Sequence, residues 1–285
     1  MAKTVLVTGA NGFIGTHLCK FLKGAGYKVK KYMRWRDGDI CKIRSKHLKS
    51  VDYVVHLAST THNYHILKRK ETTIDVKTNC LGTIAVLNAI RATKRPIKLV
   101  YVSTFFVNNG SPLGLYGATN LCAEHICLAY SRVHDINVSI ARPTNVYGEG
   151  SDMKSTKKNA ISRMILDIKN GKPVKAYSEC WYNVRDIIHV SDVVSALEII
   201  MRKGENRMVY DVGSGESIPV SSMLYEAIKI SKLKDHRLNI IEPPKFHKAV
   251  GMGSFHADIK RLKWLGWMPK VSIKQGIKNI GIVHL

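Results

Sequence analysis

Apolar and polar positions along the chain follow two alternating rhythms. Short runs rich in Val and Ile, "TVLVT" at 4–8, "YKVKKYM" at 27–33, "VDYVVHLA" at 51–58, "IKLVYVS" at 97–103 and "NVSIARP" at 137–143, have the length and β-branched content of strands. Between them, 14–24, 73–93 and 118–134 have the length and spacing of amphipathic helices. Strand and helix alternating in this way form βαβ units, and hence a doubly wound parallel sheet over at least the first half of the chain. Right-handed crossovers put every strand C-terminus on one edge, where a ligand is expected.

After Gly148 the texture changes. "EGSDMKSTKKN" at 149–159 reads as a polar loop, followed by a helix near 160–170, short strands, turns such as "VGSGES", and a final helix after Pro269. The stretch "RDIIHVSDVVSALEIIM" at 185–201 reads as a strand, a turn with Asp192 near an N-cap, and an apolar helix. The expected architecture is therefore α/β, with a Rossmann-type dinucleotide-binding domain at 1–148, on which 181–203 packs back. A smaller substrate-binding lobe at 149–285 completes it.

Composition narrows the class. Of 285 residues, 45% are apolar and 23% charged, without low-complexity tracts or repeats, which points to a globular protein and away from disorder. Lys and Arg outnumber Asp and Glu by 45 to 21, a formal +24, so polyanions are attracted. The segment Lys20 to Lys49 is the densest, with Asp37 and Asp39 its only acids. No aromatic interleaving marks a nucleic-acid module, so the charge reads as solvated surface plus a pocket for phosphate-bearing ligands. The six cysteines form no CxxC pair and read as reduced thiols, with no metal site expected. The chain enters a strand at once without a signal-peptide pattern and has no run of 18 apolar residues; a soluble, cytoplasmic protein is expected.

"VLVTGANGFIGTHL" sets Gly9, Gly12 and Gly15 between the first strand and a helix. Glycine there allows a tight turn, close backbone approach to a pyrophosphate, and close packing of helix on strand. Asn11, Phe13 and Ile14 belong to the same loop. A site preferring NAD carries an acid about twenty residues on, for the ribose 2′-OH. Here "KKYMRWRDGD" offers Arg34 and Arg36, whose guanidinium groups match a phosphate, so NADP(H) is favoured over NAD(H); Asp37 on the ribose is the competing reading.

These motifs resemble the extended short-chain dehydrogenase/reductases, which act mainly on nucleotide-linked sugars. The likeness rests on "TGANGFIG", "GDI" at 38–40, "HLAS" at 56–59, Asn79 in "TNCLGT", "VST" at 102–104, "YGATN" at 116–120, "RPTNVYG" at 142–148, "RDIIHVSDVV" at 185–194 and "LGWMP" at 265–269. It implies that Asp39 and Ile40 flank the adenine, and that Leu57, Ala58 and Ser59 follow the strand beneath the cofactor, with Pro143 also in the cofactor site. Thr104 would orient the substrate carbonyl, Tyr116 would be the acid/base, and Asn145 and Arg185 would hold the substrate diphosphate. "VSTFFVNNG" is similar to reductases of 4-keto-6-deoxy nucleotide sugars. A homodimer through a helix pair is implied as well.

The family's lysine, four residues after the tyrosine, both binds the nicotinamide ribose and lowers the tyrosine pKa. Asn120 stands in its place, able to hydrogen-bond the ribose but bringing no charge. Tyr116 is then expected near the reference value of about 10, protonated at neutral pH and fit to give a proton. Taking one would cost about 4 kcal/mol, which favours a one-way reductase over a 4-epimerase or dehydratase. Phe105 and Phe106 also occupy the place of the dehydratases' acidic pair. A non-catalytic NADP-binding protein is the remaining alternative. The short Thr104–Tyr116 loop and the abbreviated stretch after Arg36 imply a more open site.

Overall fold

The computed structural model describes residues 2–60, 73–110, 113–150, 160–231, 238–245 and 253–280. The chain divides into two compact units. One comprises Met1–Pro143, Val194–Asp211 and Lys260–Trp267; the other comprises Thr144–Val193, Val212–Ile259 and Met268–Leu285.

The first unit is built on a six-stranded sheet of order β2-β1-β3-β4-β5-β9. Its strands are β1 (Thr4–Thr8), β2 (Lys28–Tyr32), β3 (Tyr53–His56), β4 (Lys98–Val102), β5 (Val138–Pro143) and β9 (Val209–Val212). The pairs β1/β2, β1/β3, β3/β4 and β4/β5 are parallel. β1 is buried along its whole length, as a central strand covered on both faces must be, and it is correspondingly a continuous Val/Leu/Thr run. β2 lies at the edge, and its Lys28 and Lys30 are exposed, which protects an open edge from pairing with another chain. The helices are α1 (Phe13–Gly24), the single turn α2 (Arg34–Asp37), α3 (Gly82–Ala92) and α4 (Gly114–His134). Leu6, Tyr32, Val54, Leu87, Leu99 and Ile140 belong to one core beneath them. The expected strands thus appear within a residue or two. α4 begins four residues before 118, because Gly114 takes φ +66° and lets the chain turn straight into the helix.

α3 is preceded by the turn Thr73–Asp75 and a π-helical turn, Val76–Leu81. The wider turn carries Asn79 inward, where it is buried. Its Oδ1 accepts the Thr60 N–H at 2.9 Å and the Ser59 hydroxyl at 3.0 Å, and its Nδ2 donates to the Thr119 hydroxyl at 2.9 Å. Asn79 thereby ties the end of β3 to α4.

The second unit has the strands β6 (Asn145–Tyr147), β7 (Val174–Tyr177), β8 (Val184–His189), β10 (Ser217–Pro219) and β11 (Leu238–Ile241). They form sheets of order β10-β8-β6 and β11-β7. The helices α5 (Ala160–Lys169), α7 (Val220–Ser231) and α9 (Ile273–Asn279) join them around Tyr147, Ile165, Ile187, Leu224 and Ile277. α6 (Val190–Lys203) follows β8 at once, and from Val194 onward it belongs to the first unit. α8 (Lys260–Trp264) also lies in the first unit. Asp192 sits in the first turn of α6. Its carboxylate accepts the N–H groups of Lys270 at 3.1 Å and Val271 at 2.9 Å, fixing the approach to α9. From residue 151 on, the expected polar loop at 149–159 lies outside the described residues. Among the described residues no helix is long and apolar enough to cross a membrane.

Candidate active site

β1 and β3 are neighbours while β2 lies on the other side of β1, so the sheet changes winding direction at the C-terminal end of β1. The glycine loop stands there. Gly9 takes φ +64°, and a Cβ on it would lie 2.8 Å from both the Ala58 nitrogen and the Leu57 carbonyl oxygen. A Cβ on Gly15 would run into the Gly9 carbonyl oxygen and lie 2.9 Å from the Ala10 Cα. Strand, loop and helix approach too closely for any side chain at either position.

Gly12 differs: it is exposed and extended, at φ −75° and ψ 173°. α1 has no side-chain N-cap and no acid in its first turn. The Thr16 N–H bonds back to the Gly12 carbonyl at 2.9 Å, so those of Phe13, Ile14 and Gly15 have no intrahelical partner. Such a helix end receives a diphosphate. The residues present therefore fit the pyrophosphate of a dinucleotide. Asn11 is exposed beside them, and Phe13 is half-buried against His17 with ring centroids 5.5 Å apart.

A buried relay supports this loop. The Thr8 hydroxyl accepts the N–H groups of Leu57 and Ala58, each at 3.2 Å, and lies 2.6 Å from His56 Nδ1. His56 Nε2 lies 3.2 Å from the Thr83 hydroxyl, which donates at 2.5 Å to the Asn79 carbonyl. Only a neutral imidazole protonated at Nε2 satisfies every member, and burial lowers the His56 pKa to about 4. An unfolded histidine near 6.5 binds protons that the folded one refuses. This group's contribution, about 3 kcal/mol, is therefore intact above pH 6.5 and lost as pH falls toward 4. Thr83→Val leaves the Nε2 proton without an acceptor and is expected to cost about 1–3 kcal/mol in thermal unfolding. Thr83→Ser keeps the hydroxyl and should cost less than about 1 kcal/mol.

Arg36 forms an ion pair with Asp37 at 2.8 Å and donates to the Lys31 carbonyl, so its guanidinium is turned back onto its own loop. Asp37 also accepts the Met33 N–H at 2.7 Å, and these hydrogen bonds hold its carboxyl below the usual range. Arg34 and Arg36 are both exposed, and Asp37 is half-buried. Ile40 is in the core, where Gly82 admits it: a Cβ on Gly82 would lie 2.5 Å from Ile40 Cγ2. Asp39 is half-buried, and its carboxylate accepts the Cys41 N–H at 3.0 Å.

Thr104 and Tyr116 are brought together. Thr104 follows β4, Tyr116 lies in the first turn of α4, and their hydroxyls are hydrogen-bonded. The tyrosine ring stands edge-on to Phe106 at 5.7 Å. Burial pushes the phenol above its ordinary value, and the Thr104 hydrogen bond only partly counters this. Asn120 is fully buried; its Oδ1 accepts the Tyr101 hydroxyl at 2.9 Å and its Nδ2 donates to the Tyr116 carbonyl at 2.8 Å. The amide braces β4 against the first turn of α4. One turn further on, Glu124 receives Arg142 in a two-pronged pair at 2.6 and 2.9 Å, joining α4 to β5. Pro143, buried, ends β5.

In the second unit Asn145 is half-buried on β6, opposite Ile187 of β8. Arg185 on β8 is buried over the Phe255 ring at 5.7 Å and donates to the carbonyls of Val184 and Gly253. Burial pulls its pKa down from the ordinary guanidinium value. The neighbouring Asp186 is a hub that sequence reasoning did not single out. It accepts the N–H groups of Ser214 at 2.7 Å and Gly215 at 3.0 Å and the hydroxyls of Ser214 and Thr144.

Fold and loop define an α/β protein with a dinucleotide cradle at the switch point of a parallel sheet. The chain belongs to the NAD dependent epimerase/dehydratase family, whose model matches residues 5–213. It is 25% identical to a trifunctional UDP-glucose 4,6-dehydratase/UDP-4-keto-6-deoxy-D-glucose 3,5-epimerase/UDP-4-keto-L-rhamnose-reductase of Arabidopsis thaliana, over 97% of this chain and 46% of the plant protein. The chain thus spans about half the length of that curated relative. It is also 25% identical to the GDP-6-deoxy-D-mannose reductase of Pseudomonas aeruginosa, over 98% of this chain and 96% of that protein. The UDP-glucose 4-epimerase of Thermotoga maritima, solved with UDP-glucose, shares the fold with a TM-score of 0.85 at 24% identity, covering 97% of each chain.

Proposed function

We propose that the chain is an NADPH-dependent reductase of a 4-keto-6-deoxy nucleotide-linked sugar. The observation that carries this reading is the Tyr116 phenol, pushed up in pKa by desolvation and hydrogen-bonded to Thr104, with an uncharged asparagine where the family has its lysine. When bound, the cofactor supplies a hydride to the carbonyl carbon. Thr104 holds the carbonyl oxygen, and Tyr116 gives that oxygen its proton as it becomes a hydroxyl. Both burial and the missing cation keep the phenol protonated, which suits donation and opposes the opening oxidation of an epimerase or dehydratase. The Pseudomonas reductase among the relatives supports this choice.

Arg34, exposed after β2, is the residue proposed to face the 2′-phosphate. Asn145 and Arg185 are proposed for the substrate diphosphate, and Leu57, Ala58 and Ser59 for the floor of the cofactor site. Purified protein given NADPH and a panel of 4-keto-6-deoxy sugar nucleotides is expected to consume the reduced cofactor with at least one of them, and NADH more slowly. Tight NADPH binding without consumption on any of the panel would instead leave a non-catalytic dinucleotide binder.

A further inference from the structure

Arg34 and Arg185 are given parts in that chemistry, but a separate group of basic residues gathers on the sheet edge opposite the glycine loop. The N-terminal ends of β1 and β2, with the loops leading into β3 and β4, enclose an open groove of about 1220 Å³. Lys3, Lys28, Lys46, Lys49 and Arg95 line it, with Asp52 the one acid among the described residues there. Asp52 is already engaged. Its Oδ1 receives Lys3 Nζ at 3.1 Å and its Oδ2 the Thr4 N–H at 2.8 Å, contacts that hold the carboxyl below its usual range. The six ion pairs formed among the described residues include none of Lys28, Lys46, Lys49 or Arg95.

Five cations thus converge on one concave surface against a single carboxylate that is already paired. β1 spans five residues at about 3.3 Å each, which separates this groove from Gly9 by the length of the strand. We infer that the groove is a binding site for a compact anion carrying several linked phosphates. No aromatic side chain lines it, so the bases of a single-stranded nucleic acid would find no stacking platform. Four of the five cations are lysines, point charges on flexible stems, which follow a flexible phosphate chain better than they grip a planar carboxylate.

The test is calorimetric titration of the full chain at physiological salt with tripolyphosphate, with inorganic phosphate and a short DNA duplex as the other probes. Tripolyphosphate is expected to bind one per chain and more tightly than inorganic phosphate. Lys28→Glu with Lys49→Glu should weaken it about tenfold or more, since two exposed attractions become repulsions. The milder Lys28→Gln with Lys49→Gln should weaken it less, exposed Lys229→Glu should leave it unchanged, and NADPH affinity should hold in all three. Tripolyphosphate binding no tighter than phosphate, or equally weakened by Lys229→Glu, would overturn the inference. So would a duplex that needs Lys28 and Lys49 and that tripolyphosphate fails to displace.

Discussion

Tyr116→Phe is expected to lower NADPH oxidation on a 4-keto sugar nucleotide by about 10²–10⁴-fold while leaving NADPH affinity unchanged. The substitution removes one oxygen from a ring whose position is otherwise held. The edge-on contact with Phe106 and the Asn120 hydrogen bond to the Tyr116 carbonyl involve the ring and the backbone, not the hydroxyl. Thr104 keeps the Phe106 N–H as a partner at 3.3 Å. The variant should therefore fold as the parent does, and any loss of rate reports the missing proton donor. Because burial raises the phenol pKa, reduction by the parent should hold steady through neutral pH and fall only in the alkaline range where the phenol ionises. A variant that retained full rate would assign the proton to another group.

Gly15→Ala is expected to abolish measurable NADPH binding and to cost about 3 kcal/mol of stability. The new methyl would run into the Gly9 carbonyl oxygen and sit against Ala10, both backbone, so no side chain can swing aside. Relief requires α1 to move away from β1, which shifts the N–H groups of Phe13 and Ile14 from the place where a diphosphate would meet them. Gly12→Ala makes the contrast. Its Cβ would approach only the Gly9 carbonyl oxygen, at 3.2 Å, and its φ suits any residue, so it should fold well and bind more weakly. Thermal unfolding and cofactor titration on the two variants separate packing from ligand approach.

How much of this could be read from the sequence depends on how local the cause is. β1, the glycine loop and α1 are contiguous, and their chemistry is written in "VLVTGANGFIG". Thr104 and Tyr116 are close in sequence, and a strand end followed by a helix start brings them into contact. The Asn120 bond to Tyr101 is not legible in the sequence, because the two are nineteen residues apart and β4 meets α4 only in the folded protein. The signal that was available is spacing: Tyr116, Asn120 and Glu124 recur at every fourth position, a stripe that faces the sheet. The Arg36 ion pair is the opposite case, since its partner is the very next residue and a single turn of helix folds the two together. The Thr8–His56–Thr83 relay and the Asp186 hub draw on residues tens of positions apart, so only the register of neighbouring elements reveals them.

One-way reduction is tested most directly by following the hydride. With NADPH deuterated at the transferring position and a 4-keto-6-deoxy sugar nucleotide at neutral pH, the sugar product should carry one deuterium at the former carbonyl carbon, with one cofactor oxidised per product. A 4-hydroxy sugar nucleotide whose configuration inverts without net cofactor turnover, returning its own hydrogen to the same carbon, would contradict the account.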